Sequence, residues 1–302
     1  MPDGDHATVA GIRISNPGRV LYEELGLTKV ALARYYESVA EWMLPELKER
    51  PLSLVRCPQG PGEGCFYQKN IDDKFPAHIK RVPVQMGGGG TYAAANTIEA
   101  VVGLVQMGVI ELHAWGSTTR DLEHPDRMVF DLDPDPRVAW REVMRAAHHV
   151  RERLEHLGLE SFVKTTGGKG LHVVVPLAPR HDWEEVKLFS RALAESIVSE
   201  RPQDFTAKAA KRERTRRIFI DWLRNSEGAT AIAPYSVRAR PGAPVATPLH
   251  WDEVGGRMKP EKYHVGNVAK RLQGLHSDPW KQLRRKPQAI TAAMKRKLEL
   301  TP

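Results

Sequence analysis

The stretch MVFDLDPDP, Met128 to Pro136, sets Asp131, Asp133 and Asp135 beside an apolar run and two prolines. In a strand, side chains at i and i+2 share a face. Asp131 and Asp133 therefore point one way, while Phe130 and Leu132 point into a core. Two neighbouring carboxylates repel each other, and a divalent cation with oxygen ligands removes the repulsion. A strand-end turn with acidic caps is the plainer alternative. Asp135 lies past Pro134, off the strand register, and does not join the pair.

The flanking patterns set the fold class. VAWREVMRAAHHVRERLEHLG (138–158) is an amphipathic helix closed by Gly158. SFVKTTGGKGLHVVVPL (161–177) reads as two strands joined by a glycine-rich turn. DWEEVKLFSRALAESIVSERP (182–202) is a helix, with Asp182 and Glu185 spaced as a capping box. RIFIDWL (217–223) is a strand. Strand, helix, hairpin, helix, strand predicts an α+β layout with a mixed or antiparallel sheet, not the alternation of a doubly wound parallel one.

Upstream, LTKVALARYYESVAEWMLPEL (27–47) has helical periodicity, with Thr28 as its cap and Pro45 at or near its end. PLSLVRCP (51–58) is a strand, and QGPGEGCFYQKN (59–70) a glycine-rich turn. QMGGGGTYAAAN (85–96), with four successive glycines, reads as a mobile loop. TIEAVVGLVQMG (97–108) is a short helix capped by Thr97, and VIELHAW (109–115) an alternating strand. TAIAPYSVRARPG (230–242) is extended and turns at its end, and the tail from Val265 is helical and basic. The expected division is an N-terminal sub-domain over 1–115, a catalytic core over 116–264 and a basic helical tail over 265–302, all in one domain.

Hydrophobic residues make up 41% of the 302 positions and charged residues 27%, which excludes a disordered chain. No apolar run approaches the ~20 residues of a membrane span. MPDGDHATVAGIRIS, at the start, lacks the basic and apolar regions of a signal peptide. The two cysteines, Cys57 and Cys65, are too few for a structural zinc site, and a disulfide framework is not expected. A reducing, cytoplasmic setting follows. The formal net charge of +8 favours polyanionic partners. Charge is densest in KAAKRERTRR (208–217) and KQLRRK (281–286). The first run is expected to track DNA, with Arg214 as a contact; a solvated face is the alternative.

Asp221 adds weight to the aspartate pair. It falls mid-strand between Ile220 and Trp222, where an unneutralised carboxylate is expensive. Either an arginine neutralises it, with Arg224 and Arg238 both available, or it is a third metal ligand beside Asp131 and Asp133. Three carboxylates around two Mg²⁺ or Mn²⁺ ions form the two-metal arrangement of phosphoryl transfer. The KTTGGKG turn offers hydroxyls, backbone N–H groups and Lys169 to phosphate, without the order of a Walker A loop. His113 shares a strand face with Glu111 and Trp115 and by itself reads as structural. Phe66 and Tyr67 either stack on bases from a loop or split between core and surface on a strand.

Taken in order, VFDLDPDP, KTTGGKGLHVVVPL, IFIDWLRN and IAPYSVRARPG resemble the polymerase module of bacterial ligase D, of the archaeo-eukaryotic primase superfamily. NPGRVLYEELGLTKVALARYY and MLPELKERPLSLVRCPQG resemble its N-terminal part. The resemblance implies a primase-type, RRM-like core with mixed or antiparallel sheets and flanking helices. It implies a DNA-repair polymerase of non-homologous end joining that fills gaps and extends ends, favouring Mn²⁺ and ribonucleotides. Asp131, Asp133 and Asp221 match its metal ligands, and Thr166, Lys169 and His172 its triphosphate contacts. His113 and Arg238 match nucleotide contacts, and Phe66 and Tyr67 the pair that packs on template bases. Arg19 and Lys29 match a pocket for the downstream 5′-phosphate. Thr166 stands where a Ser is common, Tyr67 where a Phe is common, and Arg224 where some relatives have Gln. Gapped or overhanging DNA, nucleoside triphosphates, Ku and a DNA ligase are the implied partners, at the bacterial nucleoid. A de novo primase and a non-catalytic end-bridging module are the rival readings. The second has no need of all three aspartates.

Overall fold

The computed structural model describes residues 6–62, 64–86 and 89–300. Residues 1–5 of the N-terminal stretch, and Gly87 and Gly88 of the glycine run, lie outside them. Two compact units are built from interleaved segments: 1–115, 232–247 and 261–276 form the first, and 116–231, 248–260 and 277–302 the second. This differs from the threefold division expected above, because 232–247 and 261–276 return to the first unit and the tail is shared.

The first unit opens with β1 (His6–Val9), β2 (Ile12–Ser15), β3 (Val20–Tyr22) and β4 (Leu27–Thr28). Next come α1 (Lys29–Ser38), α2 (Ala40–Leu47), β5 (Leu52–Arg56), β6 (Phe66–Gln68), β7 (Lys80–Val84), β8 (Gly90–Ala94), α3 (Ile98–Gln106) and β9 (Val109–Trp115). Its main sheet runs β9-β5-β8-β7, with β6 also paired to β5. The helix expected over 27–47 is split at Val39, whose backbone (φ −109°, ψ 6°) leaves the helical region. Thr28 and Thr97 cap α1 and α3 by accepting from Ala31 and Ala100 N–H. Much of the glycine-run segment is strand β8 and not loop, because Thr91–Ala94 pair with β7.

Cys57 and Cys65 are joined in a disulfide, contrary to the expectation of two thiols. Strand register explains it. Arg56 pairs with Phe66 across β5 and β6, so the next residue on each side meets its counterpart, with a Cα separation of 4.2 Å.

The second unit contains β10 (Arg127–Pro134), α4 (Trp140–Leu157), β11 (Phe162–Thr165), β12 (Leu171–Pro176), α5 (Trp183–Glu200), β13 (Phe205–Thr206) and β14 (Ile218–Asp221). After β15 (Thr230–Ile232), at the chain's crossing back to the first unit, come β16 (Pro248–Leu249), α6 (Val268–Gln273) and α7 (Ala292–Lys297). The six-stranded sheet has the order β13-β14-β10-β12-β11-β16, antiparallel except at β13–β14. On α4, Val143, Ala147, Val150, Leu154 and Leu157 form the buried stripe, at helical spacing, that packs on β10 and β12. Asp182 caps α5, but Glu185 completes no box: its carboxylate pairs with His181 at 3.0 Å and Lys295 at 2.5 Å.

The tail is not one helix; α6 and α7 are six-residue pieces of different units. Trp280 and Leu283 instead pack on Val129, Val174 and Phe162. Those three residues form a cross-strand row on the face that also carries Asp131. The tail therefore covers the apolar end of this face. Among the described residues no helix is long and apolar enough to cross a membrane.

Candidate active site

The register of the second unit's sheet sets four side chains in one row. Lys164 on β11 pairs with His172 on β12, His172 with Asp131 on β10, and Asp131 with Asp221 on β14. β10 lies between β14 and β12, so the aspartates sit in the middle of the sheet. Asp133, two residues on, shares their face and opposes Phe219.

Strand β14 ends at Asp221, earlier than RIFIDWL suggests, and Trp222 and Leu223 leave the ladder. Asp221 Oδ1 accepts from Leu223 N–H at 3.0 Å, an Asx turn that competes with further pairing. The turn brings Arg224 back over the row. Its Nε lies 3.1 Å from Asp131 Oδ2 and 3.3 Å from Asp221 Oδ2. Of the two arginines available from sequence, Arg224 serves Asp221. Arg238 is in the first unit, on Glu111.

Asp133 is engaged by Arg214, whose Nη1 is 2.7 Å from Oδ2 and whose guanidinium lies 4.0 Å over the Phe219 ring. The expected DNA contact in the basic run thus binds an expected metal ligand. No three described His, Cys, Asp or Glu side chains stand together as a ready metal site.

Burial pushes the Asp131 carboxyl up, but His172, Arg224 and Lys164 outweigh it and hold it well below the ordinary range. Burial and the Lys164 charge push His172 down to about 4, against the pull of Asp131, so its ring is neutral at pH 7. Asp133 is raised by burial and by the charge of Asp131. Burial also raises Asp221, against the pull of Arg224. Oxygen donors with two carboxyls raised by burial, and two carboxylates already bridged by one cation, fit a hard divalent ion.

Residues 166–170 join β11 to β12. Thr166 closes this turn, its N–H and hydroxyl both donating to the Gly170 carbonyl, at 3.2 and 3.1 Å. Gly167 has φ +66°, a conformation that favours glycine. Gly170 is glycine for another reason: a Cβ there would stand 2.5 Å from the Leu132 carbonyl oxygen. The turn therefore lies directly on the aspartate strand. Lys169 is exposed at its tip, and His172 is buried just beyond it, with Nδ1 lacking a partner among the described residues.

In the first unit, His113 and Arg238 converge on Glu111. Glu111 Oε2 is 2.8 Å from His113 Nε2 and 3.0 Å from Arg238 Nε, and Oε1 accepts from Ala239 N–H at 2.8 Å. Burial pushes this carboxyl up, but His113, Arg238 and the Ala239 amide bring it down to about 2. The Tyr67 ring meets His113 edge-on at 5.8 Å. Phe66 and Tyr67 lie on strand β6, yet both are exposed, at 45% and 49%, so neither is drawn into a core. Arg56 lies 5.4 Å over Phe66.

Arg19 and Lys29 come together as expected. Lys29 N–H donates to the Arg19 carbonyl at 2.8 Å, and both side chains line a cavity of about 210 Å³ with Arg56, Cys57, Pro58 and Gly108. Burial and the charge of Arg19 lower the Lys29 pKa. Arg19 Nη1 donates to the Pro58 carbonyl at 2.7 Å and Lys29 Nζ to that of Ser15 at 3.1 Å.

Lys164, Glu111 and the bridging position of Arg224 were not assigned from sequence as parts of these sites. Lys164 and Glu111 carried a weak signal, a charge at an inward-facing strand position.

A family model described as LigD, primase-polymerase domain, matches residues 28–280. The multifunctional non-homologous end joining protein LigD of Pseudomonas aeruginosa is 40% identical over 294 residues, 97% of this chain and 35% of that protein. Its namesake from Mycolicibacterium smegmatis is 35% identical over 257 residues, 84% of this chain and 33% of that one. The chain spans about a third of the length of these curated relatives. The polymerase domain of Mycobacterium tuberculosis ligase D, solved in complex with DNA, superposes with a TM-score of 0.84 at 28% identity, over 91% of this chain and 99% of that one.

Proposed function

The chain belongs to the LigD primase-polymerase family, and from that membership we propose that it is a nucleotidyltransferase of non-homologous end joining that fills gaps and extends DNA ends before ligation. The observation that carries this reading is the acidic row: Asp131 opposite Asp221, Asp133 on the same face, and the Thr166–Gly170 turn packed on the same strand.

Asp131, Asp133 and Asp221 would hold two Mn²⁺ or Mg²⁺ ions. When bound, the ions supply charge neutralisation at the triphosphate and at the attacking and leaving oxygens. The Thr166–Gly170 turn presents backbone N–H groups to phosphate, and Lys169 adds a charged donor. His172 is read as a third triphosphate contact, supported by its partnerless buried Nδ1. His113 and Arg238 act on the nucleotide, and Glu111 orients both. Phe66 and Tyr67 stack on template bases, and Arg214 contacts DNA. Arg19 and Lys29 take the 5′-phosphate downstream of a gap, with Arg56 as a third cation. A preference for ribonucleotides, and cooperation with Ku and a DNA ligase, belong to the same reading.

The test is single-nucleotide gap filling with Mn²⁺, comparing 5′-phosphate with 5′-hydroxyl gaps and ribo- with deoxynucleotides. Faster filling at the 5′-phosphate gap with ribonucleotide is expected. DNA binding with no incorporation under any of these conditions would overturn the polymerase reading in favour of an end-bridging module.

A further inference from the structure

Arg224 follows Asp221 by three residues, on the single 3₁₀ turn Leu223–Asn225. That turn is fastened to β10. Asn225 Nδ2 donates to the Val129 carbonyl at 2.8 Å, and Val129 N–H donates to Asn225 Oδ1 at 2.7 Å. Asn225 is buried, so the clamp is shielded from water. The guanidinium beside it is delivered to the acidic row by backbone geometry.

The two carboxylates use their oxygens unequally. Asp131 Oδ1 faces His172 Nε2 at 3.4 Å, and Asp221 Oδ1 accepts from Leu223 N–H. The remaining oxygen of each, Oδ2, meets the same guanidinium: Arg224 Nε and Nη2 on Asp131, and Nε on Asp221. Nη1 donates to the Thr230 carbonyl at 3.4 Å, a third anchor. A divalent ion shared by Asp131 and Asp221 would compete with this guanidinium for those oxygens.

A guanidinium at 3.1 Å and a divalent ion would compete for the lone pairs of one carboxylate oxygen and repel each other as like charges. The guanidinium brings a single delocalised charge to two carboxylates, and the ion brings two. The arginine side chain is 41% exposed, so it has open solvent to move into.

We propose that Arg224 is a resident counter-cation: it occupies the Asp131 and Asp221 oxygens in the metal-free protein, must leave them for a divalent ion to bind, and so sets the metal concentration at which the site loads. The proposal rests on the reading of Asp131 and Asp221 as metal ligands. Arg224 is a positioning residue here. It neutralises two repelling carboxylates before the ion arrives, and it opposes the ion's entry.

The experiment is calorimetric titration of Mn²⁺ into wild type, Arg224→Gln, Arg224→Lys and Asp221→Asn, with melting temperatures of the metal-free proteins measured alongside. Charge-assisted hydrogen bonds to a partly exposed arginine predict about tenfold tighter Mn²⁺ binding by Arg224→Gln. Arg224→Lys is expected to fall between it and wild type, because an ammonium bridges two carboxylates less well. Metal-free Arg224→Gln should melt below wild type and gain more on Mn²⁺ addition. A residue that only supported the fold would weaken Mn²⁺ binding when replaced. Mn²⁺ affinity unchanged or weakened in Arg224→Gln and Arg224→Lys, beside binding that Asp221→Asn abolishes, would overturn this inference alone. Mn²⁺ affinity that Asp221→Asn does not alter would overturn the metal reading and the inference together.

Discussion

Asp131 and His172 stand directly opposite each other on β10 and β12, with His172 Nε2 3.4 Å from Asp131 Oδ1. Burial and the Lys164 charge push the His172 ring toward its neutral form, and its Nδ1 has no partner among the described residues. The pair joins the acidic row to the strand that follows the glycine turn. Nucleotide effects are therefore expected from the turn, and metal effects from the row.

Lys169, exposed at the tip of that turn, is expected to act on the incoming nucleotide. Lys169→Ala should raise the nucleotide KM about 10- to 100-fold, the equivalent of a charge-assisted hydrogen bond worth ~1.5–3 kcal/mol. Duplex affinity, measured by fluorescence anisotropy, should stay nearly constant. An unchanged KM beside weaker duplex binding would move Lys169 to the DNA.

Glu111 gives a pH signature independent of the metals. Its carboxyl falls from an ordinary 4.5 to about 2 in the folded protein. A depressed folded pKa stabilises above the unfolded value, so the contribution is complete above pH 4.5 and is lost as pH falls toward 2. The gap corresponds to about 3 kcal/mol. Urea denaturation at pH 6, 4 and 3 should show wild type and Glu111→Gln converging as acid is added. Parallel decline of the two would remove Glu111 from this role.

Arg19 and Lys29 share one cavity, and the downstream 5′-phosphate carries up to about two negative charges, more than an internal phosphodiester. The double variant Arg19→Ala, Lys29→Ala should fill 5′-phosphate and 5′-hydroxyl gaps at equal rates and still extend a plain primer-template. If it keeps the wild-type preference, the phosphate is read elsewhere.

These sites were legible to different degrees. The shared face of Asp131 and Asp133 follows from strand periodicity alone, and the Thr28 and Thr97 caps follow from residue chemistry at helix starts. Lys164 was hidden because its partner, His172, is assigned only by the register of the hairpin. The Cys57–Cys65 pairing was hidden for the same reason, since nothing local aligns β5 with β6. The early end of β14 was missed because the Asp221 side chain takes the Leu223 N–H from the ladder, a competition that hydrophobic alternation does not report. That miss concealed the return of Arg224 over the row. The glycine run masked β8, whose pairing with β7 begins at Gly90.

The most direct test of the central claim is single-turnover incorporation of one ribonucleotide at a 5′-phosphate gap with Mn²⁺, in wild type, Asp131→Asn, Asp133→Asn and Asp221→Asn. DNA affinity is measured on the same samples. Loss of preorganised charge stabilisation predicts at least ~10²-fold slower incorporation in each variant. DNA binding should persist, because removing a carboxylate does not weaken attraction for phosphate. Wild-type rates in folded Asp131→Asn and Asp221→Asn would contradict a phosphoryl-transfer centre on the acidic row.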